Sequence, residues 1–97
     1  MDIQHSFGQA LKLARKSRGL IQEDFSVVSS TNFISLLENG KTSPTLHKLE
    51  AICSTLGTHP LALLALAYAL NSDSTKDVDL LLQRVRDEVQ DFINSQV

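Results

Sequence analysis

Cysteine is nearly absent. One thiol in 97 residues, Cys53, excludes an internal disulfide and leaves no zinc site built on thiolates. Spaced among Leu49, Ile52 and Leu56 as on one helix face, Cys53 reads as a buried apolar side chain. Long apolar runs are missing too: residues 61 to 70 are all apolar, yet ten residues cannot cross a bilayer, and no leader segment is evident. The expectation is a cytoplasmic protein of a reducing compartment with no membrane partner. Catalytic patterns are lacking as well. His5, His47 and His59 stand far apart outside any ligand or triad spacing, and no phosphate-cradling glycine loop or paired-carboxylate motif occurs. An enzyme is therefore not expected, nor a metal site or cofactor. There is no internal repeat and no low-complexity tract.

A net positive charge is also lacking. The formal charge is −2 and the pI about 5.8, which taken alone argues against a nucleic-acid partner. The distribution argues otherwise. Residues 6 to 48 carry Lys12, Arg15, Lys16, Arg18, Lys41 and Lys48 against Glu23, Asp24 and Glu38, whereas the acids gather beyond residue 71. A phosphate-facing surface can only lie in the front of the chain.

What is present is helical. With 42% hydrophobic and 21% charged residues the chain is globular, its 97 residues make one small domain or one domain with an appended element, and the spacings along it read as all-α. Phe7, Ala10, Leu11 and Ala14 recur at helical spacing within residues 6–18, and Gly19 ends that helix. Basic Lys12, Lys16 and Arg18 on it suit a solvated face as well as phosphates. A short second helix starts near Gln22, without a capping side chain at Ile21. A third is marked by Ser29 or Ser30 as cap and by Gly40 just past its end. In it Ile34 and Leu37 share an inward face, and Thr31, Asn32, Ser35 and Leu36 are displayed on another. Ser43 and Pro44 suggest the next start, for a helix reaching Leu56 with Leu46, Leu49, Ile52 and Cys53 on its stripe. Pro60 opens a fifth helix, apolar all round to Leu70, with His59 as its expected cap.

After a polar break, a last amphipathic helix is expected from Thr75 to Asn94, with Ser74 and Asp77 as a capping box. The division is thus 1–71 and 72–97. Val78, Leu82, Val85, Val89 and Phe92 alternate four- and three-residue steps, a spacing suited to dimerisation against Leu63, Leu66 and Leu70 of the fifth helix. Packing within the same chain is the other use of that stripe.

The segment Ile34 to Thr42, containing Leu37-Glu38-Asn39-Gly40-Lys41-Thr42, resembles the recognition helix and following loop of the Cro and phage-repressor helix-turn-helix family, also called XRE-like. The spaced pattern extends back through Gly8, Leu11, Arg15, Gly19, Leu20 and Gln22, and forward through Pro44, Leu49, Ile52, Leu56 and Gly57. The resemblance implies a five-helix phage-repressor-like domain with an added C-terminal helix, binding double-stranded DNA as a transcriptional regulator and homodimeric repressor. It implies base contacts from Thr31, Asn32, Ser35 and Leu36, phosphate contacts from Gln22, Lys41, Thr42 and Ser43, and a structural ion pair between Arg15 and Glu38. One departure stands out: about two residues fewer separate the second helix from the recognition helix, and Phe33 occupies a position where the family has a smaller residue. Phe33 is expected to fill the space so left. A protein-interaction module on the same scaffold, an antirepressor or an adaptor for a regulatory partner, is the alternative function.

Overall fold

A computed structural model describes residues 2–71 and 77–96, and these are helical with no strand among them. Five α-helices and one 3-10 turn follow in order: α1 (Ile3–Ser17), the turn Gln22–Phe25, α2 (Thr31–Glu38), α3 (Leu46–Leu56), α4 (Pro60–Leu70) and α5 (Val78–Asn94). The core is continuous. Phe7, Ala10 and Leu11 of α1 meet Phe25, Ile34, Leu37, Leu49, Ile52, Cys53, Leu56, Leu63 and Ala67. These side chains leave water together, and that transfer is the main term holding helices too short to stand alone.

Helix boundaries follow local chemistry. Asp2 caps α1 by accepting the His5 N–H, so that helix begins three residues before the apolar spacing suggests. Ser30 Oγ accepts the Phe33 N–H at 3.1 Å, and Gly40, at φ 70°, takes the left-handed conformation past the end of α2. The next start differs from the expectation. Thr45 Oγ1, not Ser43, accepts the first-turn N–H of α3 from Lys48 at 3.1 Å, and Pro44 lies in the loop outside the helix. A proline disfavours helical geometry in the residue before it, which suits Ser43 to an extended loop. His59 Nδ1 accepts the Leu61 N–H at 3.0 Å ahead of Pro60.

The second helix is reduced to one 3-10 turn. With no cap from Ile21, the turn is tied from inside, Asp24 Oδ2 accepting the Ile21 N–H at 2.8 Å. Phe25 at its end is fully buried, and Val27, just beyond, is 94% exposed. Phe33 packs half-buried against the core beside this shortened stretch. α5 runs over Val78–Asn94, and positions 74 and 75, where its capping box and its start are expected, lie outside the described residues.

Candidate nucleic-acid interface

α2 is held at its C-terminal end by polar bonds to α1. Arg15 Nε and Nη2 donate to the two carboxylate oxygens of Glu38 at 2.7 and 3.0 Å, and Nη1 donates to the Leu20 carbonyl at 3.0 Å. Both side chains are buried, so the bidentate geometry and the extra carbonyl must offset the loss of water. The Glu38 hydrogen bond raises the Arg15 pKa further above its already high value, fixing its charge. Gln22 joins this network, its Nε2 donating to Glu38 Oε1 at 3.2 Å. The side-chain amide expected at a phosphate is therefore oriented by the ion pair.

Packing is close where α1 crosses α2. A β-carbon built on Gly8 would lie 2.4 Å from the Leu37 carbonyl oxygen and 2.8 Å from that of Glu38. Only glycine lets the two backbones approach so closely. With Ile34 and Leu37 turned inward, α2 presents Asn32 and Leu36 to solvent, with Thr31 and Ser35 half-exposed beside them. Asn39, one turn past Ser35, donates its amide to the Ser35 carbonyl at 2.9 Å and to its hydroxyl at 3.4 Å. Asn39 thus extends the polar row of Asn32 and Ser35 across the end of the helix.

The following loop is pinned to the start of α1. Gln4 Nε2 donates to the Gly40 carbonyl at 2.9 Å, and Gln4 Oε1 accepts the Ser43 hydroxyl at 2.7 Å. Ser43 thus spends its hydroxyl proton inside the protein, while Lys41 stays exposed and Thr42 half-exposed beside it. Sequence reasoning missed Gln4 and Asn39. An isolated amide on a polar helix face carries no signal of a partner 36 residues away, whereas Asn39 at four residues from Ser35 could have been found from helical spacing.

Arg18 serves the fold instead. Its guanidinium donates to the Leu56 carbonyl and to Thr58 Oγ1, at the end of α1 opposite Gln4 and about 20 Å along the helix from it. The residues assigned to dimerisation divide. Leu63 is 1% exposed and belongs to the core of its own chain, because α4 turns Leu63 and Ala67 towards α1. That corrects the expected interface. Leu66 is half-buried, and Leu70, Val78, Leu82, Val85, Val89 and Phe92 are exposed. Ala62, Ala65, Leu66 and Ala69 of α4, with Val78 and Leu82 of α5, line an open apolar groove of about 550 Å³. No helix among the described residues is long and apolar enough by itself to cross a membrane.

A family model described as helix-turn-helix matches residues 11–63, which include the 3-10 turn, α2 and α3. No curated protein sequence matches the chain. Among solved structures, the clp gene regulator ClgR from C. glutamicum superimposes with a TM-score of 0.68 at 22% identity, covering 73% of this chain and 95% of that one. That likeness is one of fold. From the family match, over half its length, the chain belongs to the XRE-like helix-turn-helix family of DNA-binding transcriptional regulators.

Proposed function

We propose that the protein is a dimeric repressor that reads a palindromic operator in the major groove of double-stranded DNA. The single observation that carries this reading is the form of α2: a short helix buried along Ile34 and Leu37, bolted to α1 through Arg15, and displaying Asn32, Ser35 and Leu36 outward. Asn32 can pair with adenine through two hydrogen bonds and Leu36 can meet a thymine methyl, each good paired contact giving roughly 1–3 kcal/mol of discrimination. Thr31 borders the same face. Lys41 and Thr42 in the pinned loop, the backbone of Ser43, and Gln22 beside the ion pair would position that face against phosphates.

The support for dimerism is α5. Its apolar stripe is uncovered, and a two-fold pair would place two α2 helices on half-sites one DNA turn apart, roughly 34 Å. Occupying a promoter in this way represses it. The test is selection of bound duplexes from a random library by the purified protein, repeated at two salt concentrations. An enriched palindrome that is lost with Asn32→Ala, and whose binding weakens steeply with salt through counterion release, is the expected result. Absence of any enriched sequence would reject the reading in favour of a protein-interaction module.

A further inference from the structure

α2 is anchored very differently at its two ends. Its C-terminal end carries the Arg15–Glu38 pair and, two residues on, the Gln4–Gly40 bond. Its N-terminal end, which bears Thr31 and Asn32, follows directly on the stretch shortened in this chain. There the Phe25 carbonyl accepts both the Val28 and the Ser29 N–H groups, and Val27 points into solvent without anchoring anything. The Val28 carbonyl faces α3, where Lys48 Nζ donates to it. The same ammonium stands 5.8 Å from the centroid of the Phe33 ring, within reach of a cation–π contact. Lys48 is itself held in the first turn of α3 by the Thr45 cap.

We propose that Lys48 is a positioning residue for sequence recognition. By clamping the Val28 carbonyl and covering Phe33 it fixes the N-terminal end of α2, and with it Asn32, without touching DNA phosphate. The clamp replaces what a full-length second helix would otherwise supply, because a partly buried carbonyl left unpaired is costly and the lysine amine satisfies it. This inference rests on the reading of α2 as the DNA-reading helix. It makes a counter-intuitive claim about charge: one of the six basic residues in the front of the chain adds specificity but no phosphate contact.

The experiment compares wild type, Lys48→Met, Lys48→Arg and Phe33→Leu in two measurements. Amide hydrogen exchange on the free protein reports the clamp itself. Lys48→Met should speed exchange at Phe33 and Ile34 by about tenfold while the α4 amides keep their wild-type rates, as local opening predicts, and Lys48→Arg should restore them. Binding to the selected operator and to a scrambled duplex, over a series of salt concentrations, reports the consequence. In Lys48→Met operator affinity should fall about tenfold, scrambled-duplex affinity should hold within about twofold, and the salt slope should equal that of wild type. Phe33→Leu keeps the lysine and removes the ring, and should reproduce the pattern in weaker form. A slope reduced by about 0.9 per subunit in Lys48→Met would make Lys48 a phosphate contact and overturn the proposal. So would wild-type exchange at Phe33 and Ile34. If wild type selects no duplex, the DNA reading falls, while the exchange contrast still decides the clamp.

Discussion

Arg15 and Glu38 stand 23 positions apart and nearly out of contact with water, so neither can be removed alone without leaving the other unsatisfied. Arg15→Met leaves a buried carboxylate with Gln22 as its side-chain partner among the described residues, and Glu38→Gln leaves a guanidinium facing a neutral amide. Breaking such a pair from one side costs about 3–5 kcal/mol for full loss of a partner, whereas replacing both with apolar side chains costs far less. Urea unfolding of Arg15→Met, Glu38→Leu and the double variant should therefore show strong non-additivity, the double being more stable than the sum of the singles predicts. Equal and additive losses would mean that the two side chains act independently. At this scale the sequence is unevenly legible. Arg15 and Glu38 belong to a spaced family pattern, and Ser30, Gly40 and His59 carry local capping chemistry that two or three neighbouring residues reveal. Gln4 and Lys48 do neither, since each bonds a backbone carbonyl 20 or more positions away and no side-chain pattern marks a carbonyl as unpaired.

Elements are set by whichever local signal is satisfied first. Pro44 looks like the first residue of α3, yet the helix waits for Thr45, whose hydroxyl reaches the Lys48 N–H, while Ser43 is occupied by Gln4. The second helix shrinks to the single turn Gln22–Phe25 because the chain must bury Phe25 and still reach the Ser30 cap within five residues. Sequence reading finds that the segment is short; the 3-10 geometry that results depends on tertiary anchors. The crossing of α1 and α2 makes a sharper demand. Glycine in a helix interior ordinarily costs about 1 kcal/mol relative to alanine, so Gly8→Ala should stabilise α1 if the helix stood alone. The contacts reverse the sign. A β-carbon would meet two backbone carbonyls that are themselves fixed by the Arg15–Glu38 pair, and overpacking of this kind costs about 1–3 kcal/mol. Thermal unfolding should show Gly8→Ala melting several degrees below wild type, whereas Gly19→Asn should lose less, because space is open around Gly19 and asparagine is the side chain that best tolerates its left-handed conformation. A melting temperature for Gly8→Ala at or above wild type would mean that the two helices can separate at no cost.

For the whole molecule the question is what α5 is for. Among the described residues it meets the rest of the chain mainly through α4, buries none of its residues, and leaves Val78, Leu82, Val85, Val89 and Phe92 exposed along about 21 Å of helix. An apolar stripe of that length on an otherwise polar helix is unfavourable in water unless something covers it, and a second α5 related by two-fold symmetry presents the same stripe in return. The neighbouring α4 groove offers small side chains, Ala62, Ala65 and Ala69, against which a helix can approach closely. In the proposed dimer, DNA reading would gain more than stability. One α2 helix displays few side chains for bases, and with Lys48 engaged inside the fold and Arg18 capping α3, a single chain has few cations free for phosphate. Two linked chains would double both, and the second half-site would be met at high effective concentration. Carboxylates introduced at Val85 and Val89 should prevent association, since like charges would oppose each other across the symmetric contact. In sedimentation, the wild type should behave as a particle of about twice the 10.7 kDa chain mass, and Val85→Asp/Val89→Asp as a single chain. Because both positions are exposed, the variant should keep its helical content and the melting behaviour of the α1–α4 core, yet lose operator affinity by roughly 100-fold or more as avidity disappears. A wild-type protein that sediments as one chain at tens of micromolar, or a double variant that still dimerises, would place the contact elsewhere and leave the α5 stripe to be covered by the rest of its own chain.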